Sequence, residues 1–167
     1  MHPNSTWNNI PIVPAFEDYV YMMFDLCDGI PIKCIVFPMM GEIDNAVAFN
    51  ESSGGRLIIY DRRLSEKIGY FGAQSIIAHE LGHHYCQHLE GSRHISPHEA
   101  ELEADRFMGF AMKKAGVSFS DFSDTLRALG VDQKSSSHPD LVSRTRAVLD
   151  GFEANSVGEI CVGQLLD

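Results

Sequence analysis

The sequence predicts an α+β fold, in which a small β-sheet precedes a mainly helical C-terminal half. Runs rich in β-branched and aromatic residues occupy positions 32–37, 43–50 and 56–60, whereas the chain after residue 73 carries helical signals. With 167 residues, 44% of them apolar and 22% charged, the chain has the size and composition of one globular domain. We therefore expect residues 1–167 to form a single domain.

The first half is expected to hold one helix and three strands. Phe16, Tyr19 and Met23 lie at helical spacing, and Gly29 follows them, which predicts a helix over residues 14–27 that Pro14 opens. The three β-rich runs are expected to be strands, and Gly54-Gly55 marks a turn between the last two.

The second half is expected to be helical. One helix is predicted over residues 73–89, ended by Gly91, and another over residues 97–114, ended by Gly116. Ser96 is a suitable N-cap for the second helix, with Glu99 completing a capping box. Shorter helices are predicted over residues 119–129 and 139–152.

Charge and hydropathy exclude some classes of partner and location. The net charge of −10 and the pI of about 5.1 disfavour nucleic acid, which is bound by clustered Lys and Arg. No apolar run is long enough to predict a transmembrane helix, and residues 1–9 lack the pattern of a signal peptide. A cytoplasmic location is expected, with a periplasmic or secreted one as the alternative if a leader has been removed.

The four cysteines, Cys27, Cys34, Cys86 and Cys161, contain no CxxC pair, so a cysteine-ligated zinc site is not expected. In a reducing cytosol they would be free, mostly buried thiols, and this is the prediction. Two disulfides in an oxidising compartment are the alternative.

Residues 79–83 read His-Glu-Leu-Gly-His, an HExxH motif within the first long helix. Residues four apart lie on one face of a helix, so His79 and His83 can bind one cation. Glu80 is rotated by about 100° from His79, where its carboxylate can reach a water on the metal and act as general base.

A third protein ligand is needed to complete a catalytic zinc site, and the next helix offers it. Glu101 can bind the metal, while Asp105, four residues later on the same face, can accept a hydrogen bond from the outer nitrogen of a ligand histidine. His98, one turn before Glu101, is the alternative ligand. Glu99 and Glu103 are each two residues from Glu101, so we interpret Glu99 as a cap and Glu103 as a solvated charge on the far side.

Other histidines near the motif are not expected to bind the metal. A metzincin needs Gly and His three and six residues after the second motif histidine, and this chain has Cys86 and Leu89 there. His88 falls about 180° round the helix from the metal face and His84 also lies off it, which favours ordinary polar or packed roles for both.

Taken in order, these motifs resemble those of the HtpX-type and CAAX-processing zinc endopeptidases, a family of gluzincins. Residues 79–83 are similar to its HExxH, residues 101–105 (ELEAD) to its ExxAD, and His138-Pro139 with Arg144 to its late HP…R motif. Residues 45–49 (NAVAF) resemble the edge strand that precedes its active-site helix.

The resemblance implies a gluzincin-type metallopeptidase domain, with a small twisted sheet packed on the active-site helix. It implies one zinc ion per chain, an edge strand at Asn45, Ala46 and Val47 that binds substrate backbone, and His138 near the oxyanion. From the residues alone, Ser137 to Pro139 could merely start a helix. Arg144 is expected to be a structural partner of the site, and an ordinary exposed or paired arginine is the alternative.

The main functional hypothesis is therefore a zinc metalloendopeptidase that hydrolyses peptide bonds with a metal-activated water and Glu80 as general base. Its substrate would be a peptide or an unfolded protein. The alternatives are a non-catalytic zinc-bearing module that binds a peptide, and a hydrolase dedicated to one small peptide. The oligomeric state and the natural substrate do not follow from the sequence.

Overall fold

A computed structural model describes residues 6–30, 34–91, 94–128 and 139–161 of the protein. The fold is α+β, as predicted, with a small mixed sheet, several packed helices and a helical C-terminal half. A two-stranded hairpin, β1 (Thr6–Trp7) and β2 (Ile10–Pro11), precedes the main sheet.

The main sheet has four strands in the order β3-β4-β6-β5. Strands β4 and β6 are parallel, while β3 and β5 run antiparallel to their neighbours. Strand β5 therefore forms one edge of the sheet. The four strands are β3 (Val13–Pro14), β4 (Phe37–Gly41), β5 (Ala46–Asn50) and β6 (Arg56–Asp61).

Several elements of the first half differ from the sequence prediction. The hairpin of β1 and β2 was not predicted, and β5 begins at Ala46 rather than at residue 43. Pro14 belongs to β3 rather than to a helix, because Val13 pairs with Met40, so helix α1 (Glu17–Asp28) begins three residues later than expected. The first of the three predicted strands covers residues 32–37, but β4 begins only at Phe37. At Pro14 and at the start of β4, pairing between distant strands outweighs local propensity.

The turn at Gly54-Gly55 is confirmed, and it joins β5 to β6 as a hairpin. The Glu51 N–H donates to the Gly55 carbonyl at 2.7 Å, and Gly54 has φ +91°, a left-handed conformation that favours glycine. A short helix that was not predicted, α2 (Leu64–Ile68), follows β6.

Helix α3 (Tyr70–Tyr85) begins three residues before and ends four residues before the predicted helix over 73–89. Its early end coincides with Gln87, whose φ of +59° is left-handed. Helix α4 (Pro97–Lys114) matches its prediction, and the Ser96 hydroxyl accepts from the Glu99 N–H at 3.1 Å as its cap.

The last two helices lie close to their predicted positions. Helix α5 (Phe119–Ala128) starts at the expected residue, and α6 (Leu141–Glu153) begins two residues later than expected. Its N-cap is Asp140, whose carboxylate accepts from the Ser143 N–H at 2.9 Å. The alternative cap Ser137 lies outside the described residues.

Helices α3 and α4 approach each other closely at Gly82. A Cβ atom at this position would lie 2.9 Å from the Ala104 Cα and 3.0 Å from the Phe107 Cβ, distances that are too short for normal packing. Gly82 therefore sets the separation of the two helices that carry the HExxH and ExxAD motifs. Beside it, the rings of Tyr85 and Phe107 stack with centroids 4.9 Å apart in the main core.

All four cysteines form disulfides, Cys27–Cys34 and Cys86–Cys161, so the prediction of free thiols is wrong. The second bond joins the end of α3 to the C-terminal segment. Disulfides persist mainly in oxidising compartments. Within the described part of the chain, no helix is both long and apolar enough to cross a membrane.

Candidate metal centre

Helices α3 and α4 bring His79, His83 and Glu101 to a common point. The Nε2 atoms of the two histidines are 3.2 Å apart, and the Glu101 carboxylate oxygens lie 3.5 Å from His79 Nε2 and 3.4 Å from His83 Nε2. These three residues form one of two His/Cys/Glu clusters, among the described residues, that could hold a metal ion. His98, the alternative ligand, is not in either cluster.

The spacing of these atoms fits a tetrahedral zinc ion. Ligand atoms about 2.0–2.1 Å from a tetrahedral centre lie about 3.3 Å from one another, close to the three separations observed. Two imidazoles and one carboxylate are also the donor set of many catalytic zinc sites, which leave the fourth position open. Both geometry and chemistry therefore suit zinc.

The outer nitrogen of His79 is held by Asp105, and Asp105 is held by Arg144. His79 Nδ1 lies 2.9 Å from Asp105 Oδ1, while the Arg144 guanidinium donates two hydrogen bonds of 2.7 Å to the two oxygens of that carboxylate. Asp105 is completely buried. The bidentate ion pair fixes the carboxylate, and the carboxylate fixes the ring of His79.

The charges of these groups depend on one another. Burial lowers the pKa of His79, but hydrogen bonds to Asp105 and Glu101 outweigh it and raise that pKa to about 10. Burial raises the pKa of Asp105, but hydrogen bonds from Arg144 and His79 hold it below its usual value. The cluster thus attracts positive charge, and a metal ion would compete with the proton for the imidazole nitrogen.

Glu80 faces the edge strand. Its Oε2 accepts a hydrogen bond of 2.6 Å from the backbone N–H of Ala48 in β5. Burial raises the pKa of Glu80, although the neighbouring His79 and His83 act in the opposite direction. A carboxylate with a raised pKa is suited to accept a proton and to return it.

The register of β5 determines which of its backbone groups are open. The Asn45 carbonyl accepts from the Asp61 N–H, and the Glu51 N–H donates to the Gly55 carbonyl, so these residues face β6. Because backbone groups alternate along an antiparallel strand, Val47 also faces β6, whereas Ala46 and Ala48 face the open edge. Of the predicted trio Asn45, Ala46 and Val47, only Ala46 presents its backbone groups towards the open edge, and Ala48, which lies outside that trio, does the same.

His138 lies outside the described residues. His84 is a packed histidine, as predicted, because it is buried and its Nε2 lies 2.8 Å from the Leu57 carbonyl oxygen.

Two predictions about the surroundings of His83 are wrong. His88 does not lie on the opposite side of the helix, because α3 ends at Tyr85 and the turn at Gln87 carries His88 back to His83. Glu103 is not a solvated charge, since it is completely buried and its Oε2 lies 2.9 Å from His88 Nε2. Helical spacing could not reveal this pair, because it depends on where α3 ends.

The second possible metal cluster consists of Cys86, His88 and Glu103. Cys86 is bonded to Cys161, and a disulfide sulfur lacks the negative charge of the thiolate that binds metals. This cluster is therefore a poor metal site in the disulfide form.

The chain matches none of the protein-family models, curated proteins or solved structures with which it was compared. Its resemblance to the HtpX-type family consists of the motifs and their spacing.

Proposed function

We propose that the protein is a zinc-dependent endopeptidase. The observation that carries the proposal is the convergence of His79, His83 and Glu101, whose side-chain nitrogen and oxygen atoms lie 3.2 to 3.5 Å apart. The Glu80 carboxylate lies on helix α3, next to His79 in the sequence. A purely structural zinc site would have no need of Glu80 or of an open fourth position. The proposal places the chain among the HtpX-like gluzincins that its motifs resemble.

One zinc ion, held by these three residues, would supply a Lewis acid that polarises the scissile carbonyl and acidifies a water. Glu80 takes the proton of the attacking water and passes it to the leaving amine. Asp105 and Arg144 keep His79 in the tautomer that leaves Nε2 available. His138 remains the proposed residue for stabilising the oxyanion.

The substrate is an extended peptide or an unfolded protein that adds a strand to β5. The outward N–H and carbonyl of Ala46 and the outward carbonyl of Ala48 would pair with it, which requires no particular side chain on the substrate. Since the Ala48 N–H already donates to Glu80, the peptide would align beside the carboxylate that handles the proton.

Because disulfides persist mainly in oxidising compartments, the two disulfides favour a periplasmic or secreted location over a cytoplasmic one.

Metal-dependent cleavage is the direct test. The zinc-loaded protein should cut denatured casein and members of a defined peptide library at internal bonds, as read by mass spectrometry. A sample stripped with a chelator should not cut, and added zinc should restore cleavage. Peptide binding without any cleavage by the zinc-loaded protein would refute the proposal in favour of a binding module, and cleavage of one short peptide only would indicate a dedicated hydrolase.

A further inference from the structure

We infer that His88 and Glu103 are positioning residues for the metal ligand His83. The inference rests on the proposed zinc site and adds two residues to it. They fix the ring of His83 through a buried chain of hydrogen bonds, in the way that Asp105 fixes the ring of His79.

The chain of contacts is continuous and short. His83 Nδ1 lies 2.9 Å from His88 Nδ1, and His88 Nε2 lies 2.9 Å from Glu103 Oε2. The His88 side chain is 4% exposed and that of Glu103 is fully buried, so little water competes for these bonds. A buried carboxylate is costly unless it is paired, and His88 is a partner of Glu103.

Zinc binding determines the position of every proton in this chain. To bind a metal through Nε2, neutral His83 must carry its proton on Nδ1, and that N–H must donate to His88 Nδ1. His88 must then carry its own proton on Nε2, where it donates to the Glu103 carboxylate. Glu103 therefore selects the tautomer of His88, and His88 selects that of His83.

Backbone structure holds His88 in place. Helix α3 ends at Tyr85, Gln87 adopts its left-handed conformation, and the His88 N–H donates to the His83 carbonyl at 3.0 Å. The adjacent Cys86 is tied to Cys161. This turn places the His88 ring beside Nδ1 of His83 and restricts the movement of the His88 ring.

Three residues of helix α4, each two positions from the next, thus contribute to the proposed metal centre. Glu101 meets the two inner histidine nitrogens, Glu103 acts on His83 through His88, and Asp105 acts directly on His79. Outer partners of ligand histidines typically contribute about 10- to 100-fold to metal affinity.

Zinc affinity, measured by competition with a chromophoric chelator, tests the inference without any need for activity. We expect His88→Leu to weaken zinc binding by about 10- to 100-fold. His88→Asn should retain most of the affinity, because the asparagine oxygen can replace Nδ1 as acceptor. The matched control is His84→Asn, which alters the neighbouring buried histidine without touching His83 and should leave zinc affinity within about twofold of wild type.

A double-mutant cycle separates the relay from general packing. Glu103→Gln should weaken zinc binding severalfold in the wild type and have no further effect in the His88→Leu background, because the connection is already broken. The d–d spectrum of the Co²⁺-substituted protein should change with His88→Leu and be largely restored with His88→Asn. If His88→Leu fails to fold, the same cycle with His88→Phe and the single variant Glu103→Gln still give a result.

Wild-type zinc affinity in folded His88→Leu or Glu103→Gln would overturn the inference, and so would an equal loss in His84→Asn. Failure of the wild type to bind zinc would remove the metal site and the inference together. Normal zinc binding without peptide hydrolysis would remove only the proposed function.

Discussion

The backbone N–H of Ala48 donates a hydrogen bond to the Glu80 carboxylate at 2.6 Å, so the edge strand directly contacts the proposed general base. This contact connects two parts of the chain that are 32 residues apart. It aligns the carboxylate with the strand on which a peptide would lie. Substitutions at Glu80 therefore test the chemistry most directly.

Glu80→Gln should reduce kcat by about 10²- to 10⁴-fold, because an amide of the same shape cannot accept the water's proton. Zinc content should stay at one ion per chain, since Glu80 does not ligate the metal in the proposed site. Peptidase rates and elemental analysis on the same sample measure both. Cleavage at the wild-type rate by this variant would exclude Glu80 as the general base.

His79→Ala and Glu101→Ala should each lose zinc, because two protein ligands hold the ion far less tightly than three. His98→Ala is the matched control on the same helix as Glu101, and it should retain one zinc per chain. Elemental analysis after dialysis against dilute chelator gives the comparison. Retention of zinc in Glu101→Ala together with its loss in His98→Ala would show that His98 is the third ligand.

Gly82→Ala should destabilise the protein by about 1–3 kcal/mol, because the new methyl group would force α3 and α4 apart at Ala104. The same displacement should weaken zinc binding, since the ligands lie on both helices. Urea unfolding and chelator competition provide the two readouts. Gly158→Ala is the control, because its Cβ would have no neighbour closer than 3.8 Å; equal losses in both variants would argue against a special role for Gly82.

The two disulfides should differ in their contribution to stability. Loop-closure entropy predicts about 4 kcal/mol for Cys86–Cys161, with a sequence separation of 75, and about 2 kcal/mol for Cys27–Cys34, with a separation of 7. Urea unfolding of the two double Cys→Ala variants measures the difference. Thiol titration of the denatured, unreduced protein should find no free thiol, and four reactive thiols would contradict the bonding.

Asp61 should make stability sensitive to acid. Burial raises the pKa of this carboxyl, but hydrogen bonds from Arg63 and from the Asp44 N–H outweigh it and lower the pKa from 3.8 to about 2. Because the folded pKa is the lower one, this stabilisation is present above pH 3.8 and is lost as the pH falls towards 2. Unfolding by urea across this range should show the loss.

The variant Asp61→Asn should be less stable at neutral pH and should show a flatter pH dependence between pH 4 and 2. Asp150→Asn, which alters an exposed carboxylate paired with Arg146, is the control. The wild type and both variants are measured with chelator present, so that metal release does not contribute to the pH dependence of the unfolding free energy. An unchanged slope in Asp61→Asn would show that other carboxylates account for the acid sensitivity.

Local periodicity predicted the parts of the site that lie within one helix. The four-residue spacing of His79 and His83, and of Glu101 and Asp105, places each pair on one helical face whatever the tertiary structure. Ser96 marked the start of α4 because capping is also local. That α3 and α4 lie side by side could be predicted only because a catalytic zinc ion needs a third protein ligand in addition to the two histidines.

Features that depend on where an element ends, or on distant partners, were not predictable in this way. The left-handed Gln87 ends α3 early and brings His88 to His83, which helical spacing places on opposite faces. Pro14 was predicted to open a helix, but it belongs to strand β3, which pairs with β4. No local sequence pattern encodes this pairing. The pairing of four cysteines likewise depends on the folded backbone.

Arg144 reaches Asp105 across 39 positions of sequence, from α6 to α4. An excised peptide spanning only residues 70–114 would keep all three proposed ligands and Glu80, yet it would leave the Asp105 carboxylate without its guanidinium partner. Such a fragment should hold zinc more weakly than the whole chain, because His79 would lose its fixed orientation. Efforts to graft this centre onto a smaller scaffold should therefore transplant three helices rather than two.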